Sequence, residues 1–162
     1  MPDRPAPDAP AHAVLLRLLA WVQAQGGHCA GVHFRVEPNG QRELCASAPF
    51  PEGALVLHIP RHLLLPLGAA HTSAIGRAAH DSRCRLSEWG TMALHLLEER
   101  RTNGLHAPYL RALPSSHAGL PVLFAPGLLA QWQGSYMLPA ILRRRARLDD
   151  EYQRIAQRLP PA

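Results

Sequence analysis

Alternation of apolar and polar residues between positions 31 and 65 constrains the fold of this chain more than any other feature. The stretch VHFRV, residues 32–36, has the two-residue period of a strand that buries one face. Pro38-Asn39-Gly40 follows and predicts a tight turn, because asparagine and glycine tolerate a positive φ angle. A return strand is predicted over residues 42–47, so the two segments form a β-hairpin.

A third strand is predicted directly after this hairpin. Pro51-Glu52-Gly53 is a second turn signal, and residues 54–59 that follow it are apolar at nearly every position, which indicates a more deeply buried strand. Pro60 ends the strand, because proline donates no hydrogen bond to a neighbouring strand. With helices on both sides, these strands predict the α+β fold class: a small antiparallel sheet followed by a mainly helical part.

Helical periodicity is strongest at residues 11–25 and between Ser87 and Asn103. The first segment carries its apolar residues on one face, and Gly26-Gly27 ends it. Ser87 is a good N-cap for the second segment, whose buried stripe is predicted to consist of Trp89, Met92, Ala93, Leu96 and Leu97. Weaker or shorter helical patterns cover residues 61–65, 71–81, 108–113 and 126–159.

Large apolar side chains in the helical patterns are predicted to lie in the core. The three tryptophans, Trp21, Trp89 and Trp132, are interpreted as core anchors rather than as surfaces for stacking a substrate. The last helix is predicted to bury one face, which consists of Leu138, Ile141, Leu142, Leu148, Tyr152 and Ile155.

Length and composition are those of a single globular domain. A chain of 162 residues, 47% of them hydrophobic, is long enough to bury a sizeable core. The first ten residues, MPDRPAPDAP, are rich in proline and contain no apolar run, so they predict a disordered leader rather than a signal peptide. Because no stretch reaches the roughly eighteen apolar residues of a membrane span, we expect a cytoplasmic protein without a membrane partner.

The net charge of +5 suggests nucleic-acid binding, but the distribution of the charge argues against it. The densest positive run, Arg143-Arg144-Arg145 with Arg147, is followed at once by Asp149-Asp150-Glu151. A helix that carries both signs is more typical of a solvated face than of a phosphate-binding stripe. No nucleic-acid partner is therefore expected.

The three cysteines and ten histidines give no recognisable metal or catalytic motif. An odd number of cysteines without CxxC spacing fits buried thiols in a reducing compartment. His80 and Cys84 stand four residues apart and would share a helical face, yet no companion pair has ligand spacing, so no metal is expected. No GxSxG nucleophile elbow is present, and no catalytic residue is assigned.

Four segments, in order along residues 14–152, carry a resemblance to a known family. They are LLRLLAWVQAQGGHCAGVHFRV, FPEGALVLHIPRHLLL, LSEWGTMALHLLEERRTNGLHAPYLRALPSS and PGLLAQWQGSYMLPAILRRRARLDDEY. The first two are similar to the opening helix and strand and to the second hairpin, and the last two to the helical insert, of the SET-domain protein methyltransferases. The branch that they resemble contains the Rubisco large-subunit lysine methyltransferase and the actin histidine methyltransferase.

This resemblance implies a domain organisation and an activity. Residues 1–10 would be the disordered leader, 11–86 the N-terminal SET-like α+β part, and 87–162 the part that is similar to the helical insert. The implied reaction transfers a methyl group from S-adenosylmethionine to a protein lysine or, less often, a histidine, so the expected partner is a protein. In such a reaction, positioning of the amine against the methyl sulfonium supplies much of the rate.

The resemblance also implies where the cofactor binds. Family members contact it partly through backbone groups of a Gly-x-Gly loop at the first hairpin, and the matching positions here are Gln41, Arg42 and Glu43. Both glycines are thus replaced by bulkier residues, which restrict close approach of the backbone to a ligand. Gly40 would compensate if the register shifts by one residue. The resemblance therefore implies Gly40 and Arg42 as backbone contacts to S-adenosylmethionine.

The catalytic residues of the family are expected to lie outside this sequence. The Asn-His-Ser segment and the catalytic tyrosine follow the helical insert, and the sequence given ends at Ala162. Tyr152 lies in a helical pattern that does not match the context of that tyrosine. The expectation is a truncated lysine methyltransferase relative that is inactive alone. The alternative is a non-catalytic protein-interaction module, whose exposed apolar surface binds a partner or drives self-association.

Overall fold

The structure, a computed structural model, describes residues 9–37, 40–114, 117 and 119–159, so most of the predicted leader lies outside the described residues. The chain divides into unit 1, Met1–Leu65 with Glu99–Leu113, and unit 2, Pro66–Glu98 with Pro114–Ala162.

The strands are β1 (Val32–Val36) and β2 (Arg42–Ala46). The α-helices are α1 (Ala9–Ala24), α2 (Leu67–Thr72), α3 (Ala74–Asp81), α4 (Glu88–Thr102), α5 (Ala107–Ala112), α6 (Pro126–Ala130) and α7 (Met137–Arg158), and 3₁₀ turns span Arg61–Leu63 and Pro121–Leu123.

The predicted hairpin is confirmed. Strands β1 and β2 pair antiparallel, with Val36 opposite Arg42 at one end of the ladder. Gly40 has a φ angle of +82°, and its N–H donates to the Glu37 carbonyl oxygen at 2.9 Å. A positive φ of this kind is open to glycine at little steric cost, which explains why the reversal is placed here. Residues 38 and 39 of the predicted turn lie outside the described residues.

The predicted third strand over residues 54–59 is wrong. In the part of the chain that the structure describes, the sheet has two strands, and this run contributes one isolated bridge, between His58 and His28. The side chains of Leu55, Val56 and Leu57 are exposed. Apolar composition predicted burial, but a strand needs a neighbour to pair with, and no described strand pairs with this run.

Unit 1 packs the hairpin and α5 against α1. Leu15 of α1, Val36 of β1 and Ala112 of α5 form one buried cluster, which confirms that the predicted apolar face of α1 is its packing face. At the end of α1, a Cβ on Gly27 would overlap the Val22 side chain, so glycine allows the chain to turn back closely here. These contacts hold α1 against the sheet by apolar burial.

Unit 2 contains a helix break that the sequence did not predict. The single helix expected over residues 71–81 is divided by Ser73, whose hydroxyl accepts a hydrogen bond from the Gly76 N–H at 3.1 Å and caps α3. Serine favours this position because its oxygen satisfies a free N–H at a helix start. The core of unit 2 includes Ala79, Cys84 and Leu159.

Helix α4 begins as predicted, but only part of the predicted stripe is covered: Met92 and Leu96 are half-buried. The Ser87 hydroxyl accepts from the Gly90 N–H at 3.0 Å, as an N-cap does. Trp89 is nevertheless 74% exposed and Leu97 is 61% exposed, while Thr91 and His95 are buried, so the predicted stripe is wrong at these positions. Local periodicity did not identify which face would meet the rest of unit 2.

Helix α7 shows the same kind of difference. Ile141 is buried as predicted, but Leu142, Leu148 and Tyr152 are exposed, and the charged residue Glu151 is buried. The tyrosine therefore belongs to a solvent-facing helix surface rather than to the predicted inner face. Among the helices that the structure describes, none combines the length and apolar character that crossing a membrane requires.

Candidate functional site

The register of the hairpin determines which backbone groups are available to a ligand or to another strand. The Glu37 N–H donates to the Gln41 carbonyl at 2.8 Å, so these residues form a hydrogen-bonded pair at the end of the ladder. Hydrogen-bonded and non-hydrogen-bonded pairs alternate in antiparallel sheets. The backbone N–H and C=O groups of Arg42, Leu44 and Ala46 therefore point away from β1. No further described strand pairs with this outer edge of β2.

Gly40 and Arg42, the predicted cofactor contacts, offer different groups at the tip of the hairpin. Gly40 is exposed, and nothing described lies within 4 Å of the position that a Cβ would occupy, so a ligand can approach its Cα and carbonyl, while its N–H donates to the Glu37 carbonyl. The guanidinium of Arg42 donates to the Ala112 carbonyl, which leaves its backbone rather than its side chain available on the β2 edge. Backbone contacts are thus compatible with both positions, and their role in cofactor binding stays a prediction.

Glu43 does not reproduce a glycine of the Gly-x-Gly loop. Its carboxylate accepts a hydrogen bond from Arg35 across the hairpin and raises the pKa of the Arg35 guanidinium. Arg35 also contacts Glu37, with 3.1 Å between Nε and Oε1. A charged cross-strand pair thus occupies the position where the family has a small residue. The hairpin alone therefore does not fit a complete S-adenosylmethionine site, because it supplies one open glycine and its charged side chains Arg35 and Glu43 pair with each other.

A cavity of about 360 Å³, the apolar groove, opens in unit 1 beside the same hairpin. Its lining is almost entirely aliphatic and aromatic and includes Leu18, Trp21, Phe34, Leu44, Leu57, Leu64 and Tyr109. Leu44 belongs both to the groove and to β2, so the open strand edge borders an apolar wall. A strand edge beside an apolar wall is the arrangement to which extended polypeptides bind in β-augmentation.

The apolar groove continues into exposed side chains. Leu44, Leu57 and Leu64 are between 40% and 52% exposed, and Leu55 next to them in sequence is 59% exposed. Scattered exposed leucines are ordinary, but several that share one groove mark an interaction surface. The sequence analysis predicted an exposed apolar surface, although it placed residues 54–59 in a buried strand.

The predicted histidine and cysteine pair is not brought together as a ligand set. Cys84 is buried in the core of unit 2, whereas His80 is exposed and has Asp81 Oδ1 at 3.3 Å from its Nδ1. Within the described ranges, no group of three or more His, Cys, Asp or Glu side chains is placed to hold a metal ion.

Two carboxylates form polar contacts at the ends of α4: buried Glu151, which the sequence analysis placed on a solvated face, and half-buried Glu99. Glu151 accepts hydrogen bonds from the N–H and the hydroxyl of Ser87 at the start of the helix. Glu99 accepts from the His106 N–H at 3.1 Å and lies 3.1 Å from His106 Nδ1 after the helix end. We call these contacts the Glu151 clasp and the Glu99 clasp.

A glycine faces the carboxylate in each clasp. A Cβ on Gly90 would overlap the carboxylate of Glu151, and a Cβ on Gly104 would overlap that of Glu99. Gly90 is the sequence feature that could have indicated the Glu151 clasp, because a glycine inside an otherwise helical pattern often marks close packing. Both clasps hold secondary structure in place. In the Glu99 clasp, the other ring nitrogen of His106, Nε2, is buried and has no hydrogen-bond partner among the described residues.

No protein-family model and no curated protein matches the chain. Among solved structures, Rubisco LSMT bound to sinefungin and monomethyllysine matches 90% of this chain with a TM-score of 0.75 and 23% identity. The SET domain of LSMT bound to lysine and AdoHcy matches 94% of this chain with a TM-score of 0.76 and 23% identity. The chain has the fold of part of a SET domain. It spans about a third of those proteins, 34% and 33% of their chains.

The SET-domain resemblance predicted from the sequence is therefore confirmed at the level of the fold. The α+β prediction holds in its coarse form, a mixture of helices with a small antiparallel sheet. Another match, Rubisco LSMT bound to AdoMet, has a TM-score of 0.75 over 90% of this chain. The ligands in those structures do not assign a ligand to this chain. The identity is only 23%, and about two thirds of each matched chain lies outside the aligned part.

Proposed function

We propose that this chain is the first part of a SET-type protein-lysine N-methyltransferase and that it acts only together with a second polypeptide segment, from the same or another chain. The observation that carries the proposal is the apolar groove beside the open β2 edge, in a fold that the matched LSMT chains continue to about three times this length. The groove and edge are the surface that the second segment would cover.

The second segment would add a strand to β2. The outward backbone groups of Leu44 and Ala46 provide its hydrogen bonds, and the apolar groove provides pockets for its side chains. The backbone of Arg42 stays available to the cofactor. Each CH₂ group that becomes buried contributes about 0.8 kcal/mol, so even a short apolar strand stabilises the assembly appreciably. Alone, the 162 residues are expected to transfer no methyl group.

The contribution of this chain to the reaction is binding and orientation. When bound, S-adenosylmethionine supplies a methyl group on a sulfonium for in-line displacement by a lysine amine. Gly40 offers an open backbone at the tip of the hairpin, and Arg42 fixes the hairpin to α5 through the Ala112 carbonyl. The second segment supplies the remaining cofactor contacts and every residue that touches the reacting amine.

Calorimetry with S-adenosylmethionine tests this proposal. The 162-residue chain alone is expected to show no micromolar binding. A chimera in which Rubisco LSMT supplies the remainder of the SET domain is expected to bind the cofactor and to methylate lysine. Micromolar binding by the chain alone, or a folded chimera that binds no cofactor, contradicts the proposal.

The role of Gly40 is tested in the same chimera by substitution with valine. Gly40→Val restricts the positive φ and fills the open space beside the backbone, so cofactor affinity is expected to fall at least tenfold. Gly53→Val is the matched control, because Gly53 also has a positive φ and no neighbour within 4 Å but lies in another turn. Equal loss of affinity in both variants would remove Gly40 from the cofactor site.

A second candidate function is a non-catalytic protein-interaction module. The exposed run Leu55-Val56-Leu57 favours it, because such a surface binds a partner or a second copy without any chemistry. Light scattering distinguishes this case: self-association that Leu57→Asp abolishes supports a binding surface in the isolated chain. A monodisperse wild-type monomer at high concentration argues against it.

A further inference from the structure

A second cavity, unlike the apolar groove in its chemistry, lies within unit 2 at the end of α3. Its volume is about 450 Å³. Buried Cys84 and Thr91 contribute to its wall. Four exposed basic side chains line its rim: His71, His80, Arg83 and Arg85. No carboxylate is among the described residues that line it, although Asp81 contacts His80 nearby, so the rim is cationic.

Arg83 occupies a backbone conformation that normally favours glycine. Its φ angle is +53°, and its N–H donates to the His80 carbonyl at 2.9 Å while the Cys84 N–H donates to that of Ala79 at 2.9 Å. These two bonds form a Schellman motif at the C-terminus of α3, in which glycine is the usual residue at the position of Arg83. An unfavourable backbone conformation often accompanies a functional side chain, so the arginine suggests a use for its guanidinium.

Two arginines of α7 hold the backbone of this loop. Arg158 donates to the Ser82 carbonyl at 3.2 Å, and Arg154 donates through Nε to the Arg85 carbonyl at 3.1 Å. The loop backbone is thereby fixed on both sides of Arg83. In the described part of the chain, the guanidinium groups of Arg83 and Arg85 form no hydrogen bond or ion pair. A fixed backbone with two uncommitted cations reduces the entropic cost of binding an anion.

We propose that this cavity binds the phosphate monoester group of a small molecule, with Arg83 and Arg85 as its ligands. A phosphate monoester carries a charge of about −1.5 to −2 near neutral pH, which two guanidinium groups neutralise. Guanidinium groups also match phosphate oxygens with paired hydrogen bonds. The cavity lies within the size range of small-molecule sites, so it also holds an organic part, which packs on Ala79 and Leu86.

Titration calorimetry of the full 162-residue chain with phenyl phosphate tests this site. Phenyl phosphate is expected to bind more tightly than benzoate, which has one charge, and than inorganic phosphate, which has no organic part. Arg85→Gln is expected to weaken binding at least tenfold. Arg144→Gln, which removes an exposed charge from α7, is the matched control and leaves the affinity unchanged. Equal affinity for benzoate or inorganic phosphate, or equal weakening by both variants, overturns the proposal.

Arg83→Gly separates a binding role from a structural one. The substitution removes the guanidinium and places the preferred residue in the left-handed position, so the melting temperature is expected to rise by roughly 2–4 °C. Phenyl phosphate affinity is expected to fall at least tenfold in the same variant. Wild-type affinity in Arg83→Gly, or no binding of millimolar phenyl phosphate by folded wild-type protein, shows that the cavity is not a phosphate site.

Discussion

Hydrogen bonds hold a carboxylate at each end of α4. The two carboxylates differ in how far away along the sequence their partners lie. The Glu151 clasp joins residues that are 64 positions apart, whereas the Glu99 clasp joins residues only seven positions apart. Each places a carboxylate against a glycine that lacks the Cβ to displace it. The first clasp requires tertiary structure in unit 2, and the second forms within one local turn of unit 1.

The clasps also differ in their electrostatics. Glu151 lies at the N-terminus of α4, where the helix dipole favours negative charge. Glu99 lies in the last turn of α4, where the same dipole opposes it, so contacts with the His106 backbone and ring must offset that cost. We therefore expect the Glu151 clasp to contribute more stability, and four substitutions test that ranking.

Glu151→Ala is expected to have the largest effect. It removes two hydrogen bonds to a buried carboxylate and the favourable charge at a helix start, which together contribute about 2–3 kcal/mol to the free energy of unfolding. Urea denaturation followed by circular dichroism measures the change. Asp149→Ala, on the same helix but exposed, is the control and should change stability by less than about 0.5 kcal/mol. Similar losses for both variants would show that the clasp is not stabilising.

Glu99→Ala is expected to cost less, about 1–2 kcal/mol, because relief of the unfavourable dipole interaction offsets part of the lost bonding to His106. The same denaturation experiment measures it. Glu52→Ala, an exposed acid of unit 1, is the control and should leave the midpoint nearly unchanged. A loss as large as that of Glu151→Ala would remove the proposed role of the helix dipole.

Substituting alanine for the glycine that faces each clasp should lower the free energy of unfolding by different amounts at the two sites. Gly104→Ala is expected to cost about 1 kcal/mol, because the new Cβ displaces the Glu99 carboxylate. Gly90→Ala displaces the carboxylate of the stronger Glu151 clasp, worth about 2–3 kcal/mol, but gains about 1 kcal/mol of helix propensity inside α4, so its net cost is about 1–2 kcal/mol. Urea denaturation of both variants measures the costs, and a smaller loss in Gly90→Ala than in Gly104→Ala would contradict the ranking of the two clasps.

Trp89→Ala is expected to have the smallest effect, less than about 0.5 kcal/mol, although tryptophan is usually a core residue. Its side chain is 74% exposed beside the glycine of the Glu151 clasp. Trp132→Ala is the matched comparison and should cost more, because Trp132 packs edge-on against Phe124 at 5.9 Å between ring centroids. Urea denaturation measures both variants. If the two substitutions lower the free energy of unfolding equally, the Trp89 side chain must pack against neighbouring residues rather than face solvent.

Local patterns predicted the local parts of this structure. The hairpin, the α1 packing face and the Ser87 cap follow from two-residue alternation, helical periodicity and capping chemistry, each of which acts within a few residues. The resemblance to SET-domain proteins added the fold, and Gly40 was placed at a turn with an open backbone.

The features that sequence reasoning missed depend on distant residues. Arg42 uses its side chain on a carbonyl 70 positions away, and Glu151 is buried by Ser87 rather than solvated. Residues 54–59 were assigned to a strand because they are apolar, yet strand formation also needs a partner, which no local pattern reports. Periodicity identifies a helix, but the neighbours of the helix decide which face is covered.

The exposed run Leu55-Val56-Leu57 has a consequence for the lifetime of the protein in a cell. Chaperones and proteases act on the unfolded or uncovered fraction of a chain, and exposed apolar segments of this kind also favour aggregation. The level of this chain in a cell should therefore depend on how completely that stretch is covered, as well as on the free energy of folding of each unit.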